Sequence, residues 1–333
     1  MDKIIGLGNA LIDVLATLKD DTLLDELELP KGSMQLIDDA KLQQINTKFS
    51  QMKTHLATGG SAGNAILGLA CLGAGTGFIG KVGNDHYGDF FRKNLQKNNI
   101  EDNLLTSEQL PSGVASTFIS QDGERTFGTY LGAAASLKAE DLTLEMFKGY
   151  AYLFIEGYLV QDHEMILHAI ELAKEAGLQI CLDMASYNIV ENDLEFFSLL
   201  INKYVDIVFA NEEEAKAFTG EEPEEALRVI AKKRSEECSI AIVKVGANGS
   251  YIRKGTEEIK VSAIPVEKVL DTTGAGDYFA AGFLYGLTCG YSLEKCAKIG
   301  SILSGNVIQV IGTTISPERW DEIKLNINKV LAE

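Results

Sequence analysis

The chain has 333 residues, of which 46% are hydrophobic, so folding can bury roughly three quarters of the surface of the unfolded chain. Its 48 acidic residues outnumber 30 Lys and Arg side chains. The resulting net charge of −18 repels polyanions and argues against nucleic acid and anionic membranes as partners. Five cysteines, without a C-x-x-C pair or a secretory signal, predict a reduced, cytoplasmic protein.

Short apolar segments alternate along the chain with segments of helical period, which is typical of a mainly parallel sheet covered by helices. The predicted buried strands are residues 3–8, 77–81, 152–156, 179–183, 207–210 and 240–245. Two helices, 164–176 and 212–219, end before Gly177 and Gly220, because glycine adopts the left-handed conformation favoured at helix ends. The pattern predicts an α/β fold built from βαβ units.

Two segments, 13–37 and 112–136, alternate polar and apolar residues and contain turn signals such as Asp122-Gly123. They predict a small second sheet. Residues 247–249 separate two apolar runs and predict a hairpin, so one edge of the large sheet should be antiparallel. The large α/β domain is assigned residues 1–12, 38–111 and 137–333.

A glycine-rich turn directly precedes an apolar helix in the run Asp271-Thr-Thr-Gly274-Ala-Gly276-Asp277. The two glycines let backbone N–H groups converge at the positive end of the helix dipole, an arrangement that holds a phosphoryl group. Asp277 either complements the helix dipole or acts as a general base toward an attacking hydroxyl. Its position beside the glycines favours the catalytic role.

This segment resembles the signature of the ribokinase (PfkB) family of ATP-dependent carbohydrate and nucleoside kinases. Residues 59–64 and 72–88 are similar to the family's N-terminal signature, and Asn211-Glu-Glu-Glu214 is similar to its Asn-x-x-Glu motif. The resemblance covers essentially the whole chain. It implies a three-layer α/β/α sandwich with a mainly parallel central sheet, over which the small sheet acts as a lid.

The resemblance implies roles at the reacting centre. Asp277 matches the family's catalytic base, and the backbone of Gly274, Ala275 and Gly276 matches its anion hole. Arg125, on the predicted lid, would clamp the transferring phosphates when the lid closes.

The acceptor site is implied in the same way. Asp13 matches a carboxylate that grips two adjacent sugar hydroxyls, and its charge disfavours acceptors that carry a phosphate. The other matching residues are Gly59, Gly60 and Asn64. Residues 29–38 and 157–159 resemble bacterial members described as adenosine kinases. The side chains that would form an apolar slot for a purine are Met34, Leu36, Phe127, Leu131 and Tyr158.

The resemblance places MgATP beside Lys244-Val-Gly246-Ala-Asn-Gly249, where Lys244 replaces the threonine of many members. The remaining residues assigned to MgATP are Asn211, Glu214 and Asn306. Magnesium is expected to arrive with ATP, because the sequence shows no carboxylate cluster for an all-protein cage. A loop pair that holds a monovalent cation such as potassium in many members aligns with Asp271, Thr273, Gly312 and Ser316.

Several alternatives stay open. The acceptor is either a nucleoside, with the adenosine 5′-hydroxyl favoured, or a free sugar such as ribose or fructose. A non-catalytic nucleoside or sugar sensor of the same fold is disfavoured, because binding alone requires no base at Asp277. An NAD enzyme rests only on Gly75-x-Gly77-x-x-Gly80, whose glycines precede the predicted strand instead of following it. The protein is expected to be a monomer or a homodimer formed through the lid.

Overall fold

Two β-sheets organise the chain, one with nine strands and one with five. The computed structural model describes residues 1–232 and 239–332, so Cys238 lies outside the described residues. The strands are β1 (Ile4–Leu7), β2 (Leu11–Thr17), β3 (Met34–Leu36), β4 (Thr54–Gly59), β5 (Thr76–Gly83), β6 (Ile100–Ser107), β7 (Gly113–Ile119), β8 (Arg125–Tyr130), β9 (Tyr152–Glu156), β10 (Gln179–Asp183), β11 (Ile207–Asn211), β12 (Ile240–Lys244), β13 (Ser250–Lys254) and β14 (Glu257–Val261).

Helices connect most of these strands. They are α1 (Thr22–Glu26), α2 (Asp39–Phe49), α3 (Ser61–Cys71), α4 (His86–Lys97), α5 (His163–Glu175), α6 (Tyr187–Asn192), α7 (Leu194–Lys203), α8 (Glu212–Thr219), α9 (Pro223–Lys232), α10 (Ala275–Thr288), α11 (Leu293–Val307) and α12 (Pro317–Ala332). Gly177 and Gly220 follow α5 and α8 with φ of +85° and +77°, as predicted. Within the described residues, no helix combines the length and apolar character needed to cross a bilayer.

The large sheet has the strand order β14-β13-β12-β11-β10-β9-β1-β5-β6. Its strands from β12 to β6 pair in parallel, whereas β13 and β14 add an antiparallel edge. This edge follows from the predicted hairpin, in which Gly249 has a φ of +98°. The α/β class and each of the predicted strands are confirmed.

Consecutive side chains of the large sheet enter two separate hydrophobic cores. In β1, Ile4 packs into one core and Ile5 into the other, and Phe209 and Val208 of β11 divide in the same way. Helices α3, α4, α10, α11 and α12 close the first core, and α5 to α9 close the second. Both faces of the sheet are therefore buried, which confirms the three layers and explains the continuously apolar strands.

The five-stranded sheet has the order β3-β8-β7-β2-β4. The predicted segments 13–37 and 112–136 supply most of it, but they are too narrow. Strand β2 begins at Leu11, and β4 pairs with β2 although it lies in the range assigned to the large domain. Helix α2 lies in that range too, yet its Phe49 packs against Phe118 of β7. Strand β4 escapes prediction because it is a short, partly buried edge strand without clear alternation.

The order of the strands locates a crevice. From β1 the chain proceeds to β5 and β6 on one side, then returns to β9 on the other side and continues outward to β12. In an open parallel sheet, such a reversal leaves a gap at the carboxyl ends of the strands, where ligands bind. A site is therefore expected where β1 and β9 end.

The packing of the first hydrophobic core against the large sheet can be tested by one substitution. Phe209 is fully buried, and its ring packs edge-on against Phe154 and Phe283, with centroids 6.2 Å and 5.7 Å away. Replacing Phe209 by Ala should lower the free energy of unfolding by about 3–5 kcal/mol, because it opens a cavity in the core. The matched control is Leu325→Ala on α12, where the side chain is 57% exposed. Denaturant melts with equal midpoints for both variants would contradict this packing.

Candidate active site

A cavity of about 1360 Å³ opens at this crevice, between the carboxyl ends of the large sheet and the five-stranded sheet. Because the five-stranded sheet covers the cavity, we call this sheet, with α1 and α2, the lid. The predicted site residues that line the cavity are Asp13, Met34, Leu36, Gly60, Asn64, Arg125, Phe127, Leu131, Tyr158, Asn211, Glu214, Lys244, Gly246, Gly249, Thr273, Gly274, Ala275, Gly276 and Asp277. The fold thus gathers the residues predicted for the acceptor and those predicted for the nucleotide around one space.

Asp277 lies in the first turn of α10, and its carboxylate faces the first turn of α3. Its two oxygens accept hydrogen bonds from Ser61 Oγ at 2.7 Å and Asn64 Nδ2 at 2.8 Å. Burial raises the pKa of Asp277 to about 6, although these two donors oppose the rise. A carboxyl group with a pKa close to neutral is suited to accept and release a proton.

The turn before α10 has the geometry of an anion nest. Gly274 caps the helix with a φ of +75°, and a Cβ there would lie 2.7 Å from Thr313 Cγ2. The N–H group of Ala275 donates to the carbonyl of Thr272, so it is less available than predicted. The first turn of a helix leaves its other N–H groups without helical acceptors. Those of Gly276 and Asp277 therefore have no helical acceptor, and both residues line the cavity.

Asp13, predicted to bind the acceptor, lines the cavity from β2 of the lid. Gly59 lies so close that a Cβ there would be 2.6 Å from Asp13 Cγ. Burial raises the pKa of Asp13 to about 7, against the opposing charge of Arg125. Asn64 Oδ1 is buried without a hydrogen-bond partner among the described residues. Such an orphaned acceptor in a cavity fits a hydroxyl donated by a ligand.

An apolar strip of the lid borders the same end of the cavity. Strand β3 pairs with β8 so that Met34 lies opposite Phe127. Met34 and Leu36 are 53% and 65% exposed, which is unusual for large apolar side chains. Leu131 and Tyr158 complete the predicted set around the cavity.

Glu156, at the end of β9, is a site residue that the sequence analysis does not find. Its carboxylate accepts hydrogen bonds from the N–H and Nδ2 of Asn9, at 2.9 and 2.6 Å, and from the N–H of Ala62 at 2.9 Å. Burial raises its pKa to about 7. Glu156 therefore joins the loop before Asp13 to the start of α3. Its signal in the sequence is a carboxylate at the carboxyl end of an apolar strand.

Arg125 and Asp271 form an ion pair between the lid and the loop before the nest, with Nη2 and Oδ2 2.7 Å apart. Arg125 also donates to Thr273 Oγ1, so its guanidinium contacts this loop, and its clamping of phosphates stays a prediction. The Asp271 carboxylate also accepts the N–H groups of Gly312 and Thr273. Arg125 supplies the positive charge beside Asp271 in this arrangement, and a monovalent cation at the predicted loop pair stays a prediction. We assign no step to potassium.

Residues predicted to bind the nucleotide lie at the ends of β11 and β12. Asn211 caps α8, and Glu214 accepts both the N–H and the Nδ2 of Asn211. Burial raises the pKa of Glu214 above its ordinary value. Lys244 ends β12 and forms an ion pair with Asp183, with Nζ and Oδ2 2.9 Å apart. Asp183, at the end of β10, is the second site residue absent from the sequence analysis.

Five predicted residues do not line the cavity, namely Gly59, Asp271, Asn306, Gly312 and Ser316. Asn306 Nδ2 donates to the carbonyl of Ile302, so this side chain forms its hydrogen bond within α11. The face of α11 toward the cavity carries instead Ser301, Ser304, Gly305 and Ile308. These positions repeat every three to four residues, and residue 306 lies off that face. Ser316 accepts the N–H of Arg319 and so caps α12.

Comparisons with known proteins agree with this geometry. The sequence profile of the pfkB family carbohydrate kinases matches residues 32–320. The chain belongs to this family. Adenosine kinase 2 from Arabidopsis thaliana is 27% identical over 340 residues, 96% of each chain. The 5-dehydro-2-deoxygluconokinase of Geobacillus thermodenitrificans is 27% identical, over 82% of this chain and 85% of that protein. The structure of adenosine kinase from Sinorhizobium meliloti is 33% identical, covers 98% of this chain and 99% of that chain, and has a TM-score of 0.85.

Membership of the pfkB family makes the protein a sugar or nucleoside kinase, a phosphotransferase for which ATP binding is expected. The non-catalytic sensor and the NAD enzyme are therefore set aside. The mainly parallel sheet with a smaller second sheet is the fold of the similar structures.

The raised pKa of Asp13 makes a prediction about stability. The folded protein holds a proton on Asp13 that the unfolded chain releases between about pH 4 and pH 7. The free energy of unfolding therefore falls as pH rises through this range. In this pfkB-family kinase without ligand, Asp13→Asn should raise stability at pH 8 by roughly 1–3 kcal/mol, after allowance for partial exposure. At pH 4 the effect should be small.

The measurement compares thermal melts of wild type, Asp13→Asn and Asp321→Asn at both pH values. Asp321 is an exposed carboxylate on α12 and serves as the matched control. Destabilisation by Asp13→Asn at pH 8 would show that the Asp13 carboxylate is well solvated or well paired.

Proposed function

We propose that this kinase transfers the γ-phosphate of ATP to the 5′-hydroxyl of adenosine. The observation that carries the proposal is the exposed apolar strip of Met34 and Leu36, which lines the cavity that also holds Asp13. A flat purine would cover this strip while Asp13 accepts hydrogen bonds from the ribose diol. The similarity to adenosine kinases supports a nucleoside acceptor. The similarity to a 5-dehydro-2-deoxygluconokinase supports a sugar-like acceptor as the competing function.

In the proposed reaction, Asp277 takes the proton of the acceptor hydroxyl. The hydroxyl oxygen forms a bond to the γ-phosphorus while the bond to the bridging oxygen breaks, and ADP leaves with that electron pair. The N–H groups of Gly276 and Asp277 hold the negatively charged phosphoryl oxygens during transfer. Ser61 and Asn64 keep the carboxylate aimed at the acceptor.

The carboxylate of Glu214, which lines the cavity beside Asn211, fits a magnesium ion that arrives with ATP. Both oxygens of Glu214 are engaged by Asn211, so contact with the ion through water fits better than direct coordination. Within residues 1–232 and 239–332, no cluster of His, Cys, Asp and Glu forms a metal site. Magnesium, when bound, would neutralise phosphate charge during transfer.

We place the reaction in the cytoplasm, since an odd number of cysteines suits a reducing compartment. We expect a monomer, or a homodimer formed through the lid. Strands β3 and β4 form the two edges of the lid sheet, and a second copy would pair there.

The acceptor is tested by measuring kcat/KM for adenosine, inosine, ribose and fructose at saturating MgATP. Adenosine should exceed ribose by about one to two decades, because a stacked base contributes roughly 1–3 kcal/mol. Leu36→Gln should lower kcat/KM for adenosine several-fold and leave ribose nearly unchanged. Leu56→Gln on β4 is the matched control, as this exposed lid residue does not line the cavity. A value for ribose at or above that for adenosine would sink the nucleoside proposal and leave the kinase assignment intact.

The role of Asp277 is tested by substitution and by pH. Asp277→Asn should lower kcat by about 10²-fold or more, as loss of a general base does. In the wild type, the base must be ionised, and with its pKa near 6, kcat should fall about tenfold between pH 7 and pH 5. Ser61→Ala removes a donor to the carboxylate and should move this acidic limb to higher pH.

Ser304→Ala is the control for the pH profile, because Ser304 lines the cavity without a hydrogen bond to Asp277. An Asp277→Asn enzyme within about threefold of wild type would remove Asp277 from the mechanism.

A further inference from the structure

The ammonium group of Lys244 lies beside the anion nest. Its Nζ is 2.9 Å from the position that a Cβ on Gly276 would take, and Gly276 supplies one of the nest's N–H groups. The Lys244 side chain is only 14% exposed, yet it lines the cavity. A cation is therefore fixed against the place where a phosphoryl group would bind.

Asp183 holds Lys244 in this position from β10, which is separated from β12 by one strand of the large sheet. Its Oδ2 accepts from Lys244 Nζ at 2.9 Å, and its Oδ1 accepts the N–H of Ala185. Ala185 has a φ of +64°, a left-handed conformation that alanine rarely adopts, so the turn after β10 is built around this carboxylate. With Asp183 only 5% exposed, both partners have little freedom to move.

The charges around Lys244 keep it protonated. Burial disfavours the ammonium, but Asp183 on β10, Glu214 on α8 and Asp277 on α10 more than offset this and raise the pKa of Lys244. The Lys244 charge in turn opposes the rise of the Asp277 pKa. A buried ion pair is weak evidence for stability, since desolvation offsets most of its attraction. Its place in the cavity therefore points to a role in the reaction.

We propose that Lys244 is a catalytic residue that contacts the γ-phosphoryl oxygens during transfer, and that Asp183 is the positioning residue that aims its ammonium at the nest. The acceptor oxygen bonds to phosphorus while the bond to ADP breaks, ADP takes the electron pair of that bond, and the proton goes to Asp277. The transferring phosphoryl group carries its negative charge over three oxygens, which an ammonium can contact. An ammonium has three N–H donors. One is held by Asp183, which leaves donors free for phosphoryl oxygens. The inference rests on the nest of the proposed function as the phosphoryl site.

The experiment measures kcat and both KM values for Lys244→Met, Lys244→Arg, Asp183→Asn and the double variant Asp183→Asn/Lys244→Met. Lys244→Met should lower kcat by about 10²-fold or more with the KM of the acceptor nearly unchanged, because a preorganised donor acts mainly in the transition state. Lys244→Arg should recover part of the loss. Asp183→Asn should lower kcat about tenfold and the double variant should be no slower than Lys244→Met, because the two residues act as a unit.

Lys254→Met, an exposed lysine on β13, is the matched control and should keep wild-type kinetics. Circular dichroism confirms that each variant folds, and if Lys244→Met does not, the Arg and Asn variants carry the test. A kcat for Lys244→Met within about threefold of wild type, or additive losses in the double variant, would overturn the proposal. Asp277→Asn is measured in parallel to separate failure of this inference from failure of the proposed function. If Asp277→Asn loses turnover while Lys244→Met stays active, only the role of Lys244 is rejected.

Discussion

The close packing of α3 against α10 sets the distance between the two halves of the site. At their contact, a Cβ on Gly68 would lie 2.9 Å from the Cβ of Ala281, so any side chain at residue 68 would force the helices apart. Because the two helices begin side by side, Ser61 and Asn64 reach Asp277, which lies more than 200 residues later in the chain. The nest at the start of α10 and the α3 residues predicted to bind the acceptor face one cavity only as long as the two helices stay packed at Gly68 and Ala281.

The same cavity concentrates carboxyl groups that burial makes costly to ionise. Asp13, Glu156 and Asp277 all have pKa values raised to about 6 or 7, and the cations Arg125 and Lys244 lie among them. Desolvation that lowers the stability of the folded protein also produces a carboxylate basic enough to accept a proton near neutral pH. The unfavourable contribution of Asp13 to the free energy of folding and the raised pKa of Asp277 therefore have the same physical cause, which is burial.

The sequence predicts those parts of the molecule that local patterns encode. Buried strands such as β9 and β10 are continuous apolar runs, and the nest at Gly274 is a contiguous motif, so both are found at their positions. Asp183 and Glu156 are not found, because their roles depend on partners that only the tertiary fold brings near. Asn306 is misplaced for the same reason, since the rotation of α11 about its axis decides which residues face the cavity.

The lid and the nest are parts of one electrostatic network. Asp271 holds the loop before α10 through the N–H groups of Thr273 and Gly312, and its remaining attraction is to Arg125 on the lid. Opening the lid would withdraw the guanidinium and leave a buried carboxylate without a counter-charge close to the nest, which is unfavourable in a medium of low polarity. Closure thus restores the charge balance at the place where phosphate oxygens would bind. The Arg125–Asp271 pair therefore ties the lid to the loop of the nest, so the position of the lid and the charge beside the nest depend on one contact.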